Sequence, residues 1–167
     1  PNHGEGFCMI HDVAVAIRRI QKEKKIARAM TVDCDVHDGN GTAAIFPPKT
    51  RTGQPLPSAS GVQHNLRGAA QLRDSSSGEL EVFTISLHQA SNYPAVKPPS
   101  SIDVNLPDGT NDEQYLGWLD QALSSAFRQF QPELLCYIAG ADPYKEDQLG
   151  GLALTIAGLK KRDELVL

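Results

Sequence analysis

The sequence predicts an α/β fold, a mostly parallel sheet covered by helices on both faces. Three observations lead there. Short apolar segments alternate with amphipathic ones along the chain. The segments VFTISLH and ELLCYIAG carry the near-continuous apolar character of strands buried on both sides. Polar groups stand where such segments end, at Asp33–His37, Ser86–His88 and Asp142. Open α/β sheets hold their ligands there, beyond the carboxyl ends of the strands.

Taken in order, a polar start, PNHGEGF, leads into an amphipathic helix from Asp12 to about Lys24. Asp12 can cap it, and Val13, Ile17 and Ile20 recur at helical spacing. ARAMTVDCDVH is a strand emerging into the Gly-rich turn DGNGT, after which TAAIF is a short helix. The residues from Pro47 to Glu81 are rich in Pro, Gly and Ser with little apolar periodicity, and are expected to form a disordered surface insertion. Order resumes with VFTISLH, then a short edge strand at Ile102–Leu106. Thr110 and Glu113 form a capping box that opens a helix through about Phe130. ELLCYIAG is a buried strand delivering Asp142, and a last helix runs from about Thr155.

With 167 residues, the chain suffices for one domain with a real core, so residues 1–167 are expected to form a single domain. Hydrophobic residues make up 40% and charged residues 22%, as in ordinary globular proteins. A net charge of -4 argues against bulk attraction to nucleic acid. No apolar run approaches the roughly 20 residues that cross a bilayer, and nothing resembles a signal peptide. Cys8, Cys34 and Cys136 are far apart and read as small buried hydrophobes. A cytoplasmic, reducing setting with no membrane association is the expectation.

The chemistry is concentrated in Asp33-Cys34-Asp35-Val36-His37. In an extended chain, Asp33, Asp35 and His37 share one face. Carboxylates crowded there repel unless a cation neutralises them, and Asp with His supplies oxygen and nitrogen ligands for a divalent ion. Asp142 can complete a site of two aspartates and one histidine, leaving a position open for water as in catalytic zinc centres. Taken alone, the motif fits equally well two loop-capping aspartates and a satisfied histidine.

The longer blocks bear on that choice. EGFCMIHDVAVA, VDCDVHDGNGTAAIF, VFTISLH, LPDGTNDEQYL and AGADPYKEDQLGGLALTIAGLKKRDELV resemble, in order, successive blocks of the histone deacetylase family. The last is most similar to the bacterial and class IV branch. The resemblance spans nearly everything except the Pro47–Glu81 segment and implies the arginase/deacetylase fold, here incomplete at both ends. It implies a zinc-dependent deacetylase acting on acetyl-lysine or a related acetylated amine. Zn2+ is the expected metal, with Fe2+ and Mn2+ also accepted by such a donor set. The implied zinc ligands are Asp35, His37 and Asp142.

The resemblance also implies two catalytic supports. Asp33 would orient one histidine of a tandem pair, and Asn40 would face the other. A structural K+ is implied at Asp33, Asp35, His37, Ser86 and Leu87. Gly6, Phe7 and Tyr93 would line the channel for the acyl-lysine side chain. The residues themselves leave other readings open: Phe7 and Tyr93 as core aromatics, Asn40 as a turn former. His3, His11, His64 and His88 receive no role, and His11 stands where relatives usually carry Asn. The tandem His pair and an oxyanion-stabilising tyrosine are implied before Pro1 and beyond Leu167. A fragment of a longer enzyme is therefore the expectation. A non-catalytic module that binds metal or acyl-lysine is the alternative. A two-metal manganese hydrolase would need further flanking carboxylates, where only Asp33 and Asp38 are near.

Overall fold

The apolar segments become strands because their alternating side chains can be buried from both sides. In the computed structural model, which describes residues 4–48 and 80–167, they are β1 (Arg28–Asp33), β2 (Glu81–Gln89), β3 (Ile102–Leu106) and β4 (Leu134–Ile138). All pair in parallel, in the order β3-β2-β1-β4. The helices are α1 (Asp12–Lys22), α2 (Asn40–Ile45), α3 (Asp112–Gln129) and α4 (Ile156–Val166).

Two apolar clusters lie against the sheet. Met30, Val32, Phe83, Ile85, Leu87, Val104 and Leu106 pack with Tyr115, Leu119, Leu123 and Ala126 of α3, and Leu159 and Val166 of α4 join them. Ala29 and Val82, the alternate residues of β1 and β2, pack instead with Ala14 and Ile17 of α1, and with Ile45 and Phe46 at the end of α2. The period-two alternation of the strands therefore assigns α3 and α4 to one face and α1 and α2 to the other. This is the two-sided α/β architecture that the sequence predicts.

Several boundaries differ from expectation, each for a local reason. The cap of α1 is His11 rather than Asp12: its Nδ1 accepts a hydrogen bond from Ala14 N at 3.2 Å. Its Nε2 lies 2.8 Å from Thr42 Oγ1, which ties the start of α1 to α2. The helix ends at Lys22, since Glu23 caps it and Lys24 turns left-handed at φ 56°. The capping box of α3 is Asn111 with Gln114. Thr110 is occupied elsewhere, its hydroxyl donating to Pro107 O at 2.6 Å.

β4 stops at Ile138, short of Ala141–Asp142, and its residues are half-buried. It stands at one end of the strand order among the described residues, with no strand covering its outer edge. Of the cysteines, Cys34 is buried and Cys136 intermediate, but Cys8 is exposed, in a turn outside both apolar clusters. Residues 49–79 of the expected insertion lie outside the described residues. Among the described residues, no helix is long and apolar enough to cross a membrane.

Candidate metal centre

β1 delivers the acidic segment and then stops. The pleat ends at Asp33, yet Cys34 and Val36 remain fully buried in the cluster beneath α3 and α4. Backbone bonds hold them there: Cys34 N donates to Ile138 O at 2.9 Å, and Gln89 N donates to Val36 O at 2.9 Å. With the apolar residues anchored inward, Asp35 and His37 are left at the carboxyl ends of the strands. Asp142 joins them from the loop after β4, its Oδ1 accepting from Val36 N at 2.9 Å.

The three side chains converge. His37 Nδ1 lies 3.0 Å from Asp35 Oδ1 and 3.1 Å from Asp142 Oδ2. Ligands of a tetrahedral ion with bonds of about 2.1 Å stand about 3.4 Å apart, so this spacing is close to that of a coordination shell. Burial pushes the Asp142 carboxyl above its usual value, and the Asp35 charge pushes the same way. A cation at this point would relieve both effects. The close approach of Asp142 to Asp35 depends on Gly140, where a Cβ would stand 2.7 Å from Asp35 Cα and 2.9 Å from Asp142 Oδ1.

Asp33 does not share this cluster, contrary to the one-face expectation. The extended pleat does not continue past it, so its carboxyl stays back in the fold, 8% exposed, with Oδ1 accepting from Asp35 N at 3.1 Å. Burial pushes that carboxyl up to about 7, and the charges of Asp35 and Asp142 add to the effect. Ser86 is its register partner on β2, and Ser86 Oγ accepts from Gly39 N at 3.3 Å. The Leu87 side chain is buried in the core, so only its backbone is available to a ligand.

Asn40 opens α2, and its side chain donates to the Glu5 carboxylate. Glu5 also hydrogen-bonds Tyr93. One carboxylate thus brings the segment containing Gly6 and Phe7 against Asn40 and Tyr93. Gly6 and Phe7 are both left-handed, at φ 57° and 63°. Phe7 is 98% exposed and Tyr93 49%, so neither is a core aromatic.

Sequence reasoning passed over a second polar cluster. His88 is fully buried, with Nδ1 2.9 Å from Ser86 Oγ and Nε2 3.0 Å from Asn105 Oδ1. Burial pulls its imidazole down to about 4, and burial together with the Asp103 charge pushes Asp38 up to about 7. The available signal was period two: Ser86 and His88 on one strand, Asp103 and Asn105 on the next. Arg162, which is 2% exposed, had no such signal.

A parallel sheet flanked by helices on both faces, with acids and an imidazole gathered at its carboxyl edge, is an arginase/deacetylase-like α/β architecture. The family described as "Histone deacetylase domain" matches residues 1–167, and the chain belongs to the histone deacetylase family. It is 37% identical over 167 residues to an uncharacterized protein of Picosynechococcus sp., a match covering 100% of this chain and 46% of that protein. It is 30% identical to histone deacetylase 2 of Arabidopsis thaliana, over 98% of this chain and 35% of the relative. Among solved structures it is similar to an HDAC homologue complexed with SAHA, at a TM-score of 0.71 and 25% identity, covering 98% of this chain and 39% of that one. The chain thus spans less than half the length of these relatives.

Proposed function

We propose that these residues are the metal-binding portion of a deacetylase that hydrolyses the amide of acetyl-lysine or a related acetylated amine. The observation that carries this reading is the convergence of Asp35, His37 and Asp142 donor atoms within 4.8 Å of one another in a chain of this family. The donor set fits a divalent ion: two carboxylates and one imidazole, with zinc the first choice and iron or manganese also compatible. When bound, such an ion supplies Lewis-acid polarisation of the amide carbonyl and lowers the pKa of a coordinated water.

The surrounding residues have supporting parts in this reading. Val36 N fixes one Asp142 oxygen, so the other is presented toward His37. Asp33 and Asn40 would orient the tandem histidines that the family resemblance implies. Asp33 and Ser86, paired across β1 and β2, would help hold a structural K+ with the backbones of Asp35, His37 and Leu87. Gly6, Phe7 and Tyr93 would border the approach for the acyl-lysine side chain, joined to Asn40 through Glu5.

Zinc stoichiometry tests the centre. Asp35→Asn and Asp142→Asn should each lose one equivalent of zinc relative to the parent protein while keeping its far-UV spectrum. If both variants retain the parent's stoichiometry, the assignment fails.

A further inference from the structure

A second set of donor atoms gathers at β2 and β3, the strands beside β1 in the sheet order. The parallel register pairs Ser86 with Asp103 and His88 with Asn105, so β2 and β3 turn four polar side chains to one side. Asp38, the residue after His37, enters this group from the loop. Its side chain is fully buried, and neither of its oxygens receives a hydrogen bond. Asp38, His88 and Asp103 each offer a ligand atom, all within 4.8 Å of one another, and they share no residue with the Asp35–His37–Asp142 group.

The tautomer of His88 sharpens the point. Its Nε2 faces the carbonyl oxygen of the Asn105 side chain at 3.0 Å. That oxygen can only accept, so Nε2 carries the proton and Nδ1 of the neutral ring presents a lone pair. Asp38 Oδ1 faces this Nδ1 at 3.3 Å. The Ser86 hydroxyl, 2.9 Å from Nδ1, can donate to that lone pair. The buried Asp38 carboxylate, however, is left with no hydrogen-bond donor, and a positive centre between Asp38 and the ring would relieve it. A proton can do this, and so can a metal ion.

Geometry and charge favour the ion. The 3.3 Å separation matches the ligand–ligand spacing of about 3.4 Å in a tetrahedral site with bonds of about 2.1 Å. The Nε2–H bond to Asn105 is the outer contact that orients a metal-bound histidine. Asp33 and Asp103 add negative potential at Asp38. Lys97 opposes them, but its Nζ is 2.6 Å from the carbonyl oxygens of both Asn92 and Pro94. An imidazole donor also makes this a transition-metal set rather than one suited to potassium. Ser86 Oγ, released from Nδ1, keeps its bond from Gly39 N.

We propose that Asp38, His88 and Asp103 hold a second divalent transition-metal ion, which joins the loop after β1 to β2 and β3 and is separate from the Asp35–His37–Asp142 ion. The test is a Co2+ titration of the chelator-stripped full-length protein, followed by visible absorption and by metal analysis after gel filtration. Two equivalents are expected in the parent. Asp38→Asn and Asp103→Asn should each leave one, and the Asp35→Asn/Asp142→Asn double variant should also leave one. Loss of an equivalent only in the Asp38 and Asp103 variants would support this site and remove the Asp35 centre. A single equivalent in the parent, unaffected by Asp38→Asn, would overturn the proposal and leave a proton between Asp38 and His88. Anomalous diffraction from the parent gives a readout independent of variant folding: a peak between Asp38 and His88 supports the site, and its absence from Co2+-soaked crystals overturns it.

Discussion

Arg162 donates from Nη1 to the carbonyl oxygen of Gly140 at 2.6 Å, from a side chain that is almost entirely buried. The same nitrogen is 3.5 Å from Cys34 O, so one guanidinium on α4 spans the two segments that carry Asp35 and Asp142. Its Nε and Nη2 are held by Asp163 Oδ1 at 3.0 and 2.9 Å, and Tyr137 donates to that oxygen at 2.6 Å. Arg162→Met keeps the apolar stem but strands the carbonyls, and each buried polar group left without a partner costs roughly 1–3 kcal/mol. We expect a loss of about 3 kcal/mol in chemical denaturation, and zinc affinity lower by roughly tenfold, as for the loss of an outer-shell contact. Unchanged stability would show that water replaces the guanidinium and that the bridge contributes nothing.

Gly140 and Gly117 offer a matched pair of substitutions. A Cβ at Gly140 would meet Asp35 Cα at 2.7 Å, Asp35 Oδ2 at 2.8 Å and Asp142 Oδ1 at 2.9 Å. The first is backbone, so the segments that carry Asp35 and Asp142 must separate. Gly140→Ala should weaken zinc binding by about tenfold or more, the size of effect seen when a supporting contact is lost. Gly117, exposed inside α3, has nothing within 4 Å of its Cβ position. Gly117→Ala should instead stabilise the fold by roughly 0.5–1 kcal/mol and leave zinc binding unchanged. Equal zinc affinities for the two variants would mean that the approach at Gly140 does not control the site.

The parallel sheet and the convergence of the Asp35, His37 and Asp142 side chains were legible because both follow from short-range rules. Apolar runs set the strands, and polar residues after Val32 and Ile138 had to emerge at the same edge of a parallel sheet. The place of Asp33 was not legible, since period-two reasoning assumes that the pleat continues. Here it ends at Asp33, and Cys34 and Val36 are held by partners on β4 and β2 that are distant in sequence. His88 shared a period-two pattern with Ser86 that went unused, whereas Arg162 carried no local signal at all. Their partners, Asn105 and Gly140, are fixed by strand register and helix docking rather than by local spacing. The caps at His11 and Asn111 show a smaller effect. A ring nitrogen can replace a hydroxyl or carboxylate as cap, and a capping box one residue along satisfies the same pattern.

His88 should leave a mark on the pH dependence of stability in the metal-free protein. Burial lowers its imidazole from 6.5 to about 4, against the opposing effect of the Asn105 bond and with Lys97 adding to the shift. Between those values the unfolded chain binds a proton that the folded chain refuses, so this contribution declines as the pH falls from 6.5 toward 4. Asp38 and Asp33, both pushed up to about 7, act in the opposite sense, since the folded chain keeps protons that the unfolded chain has lost. The His88 share is isolated by difference. Relative to His88→Asn, the parent should lose about 2 kcal/mol between about pH 7 and about pH 5. Parallel stability curves would mean that folding leaves the proton affinity of His88 unchanged.

The family reaction, as the resemblance implies it, uses a tandem histidine pair for proton transfer, and these 167 residues contain no two adjacent histidines. Positioned general acid–base groups and oxyanion donors contribute on the order of 10²-fold each to such hydrolyses. A polypeptide confined to residues 1–167 should therefore bind zinc through Asp35, His37 and Asp142, yet turn over acetyl-lysine peptide at least about 10²-fold more slowly than an intact family member. Zinc content and turnover, measured on the same preparation, separate the two requirements. Bound zinc with negligible turnover is the expected result. Turnover near that of an intact family member would show that a group within these residues, such as Asp33 or the His37–Asp142 pair itself, moves the proton.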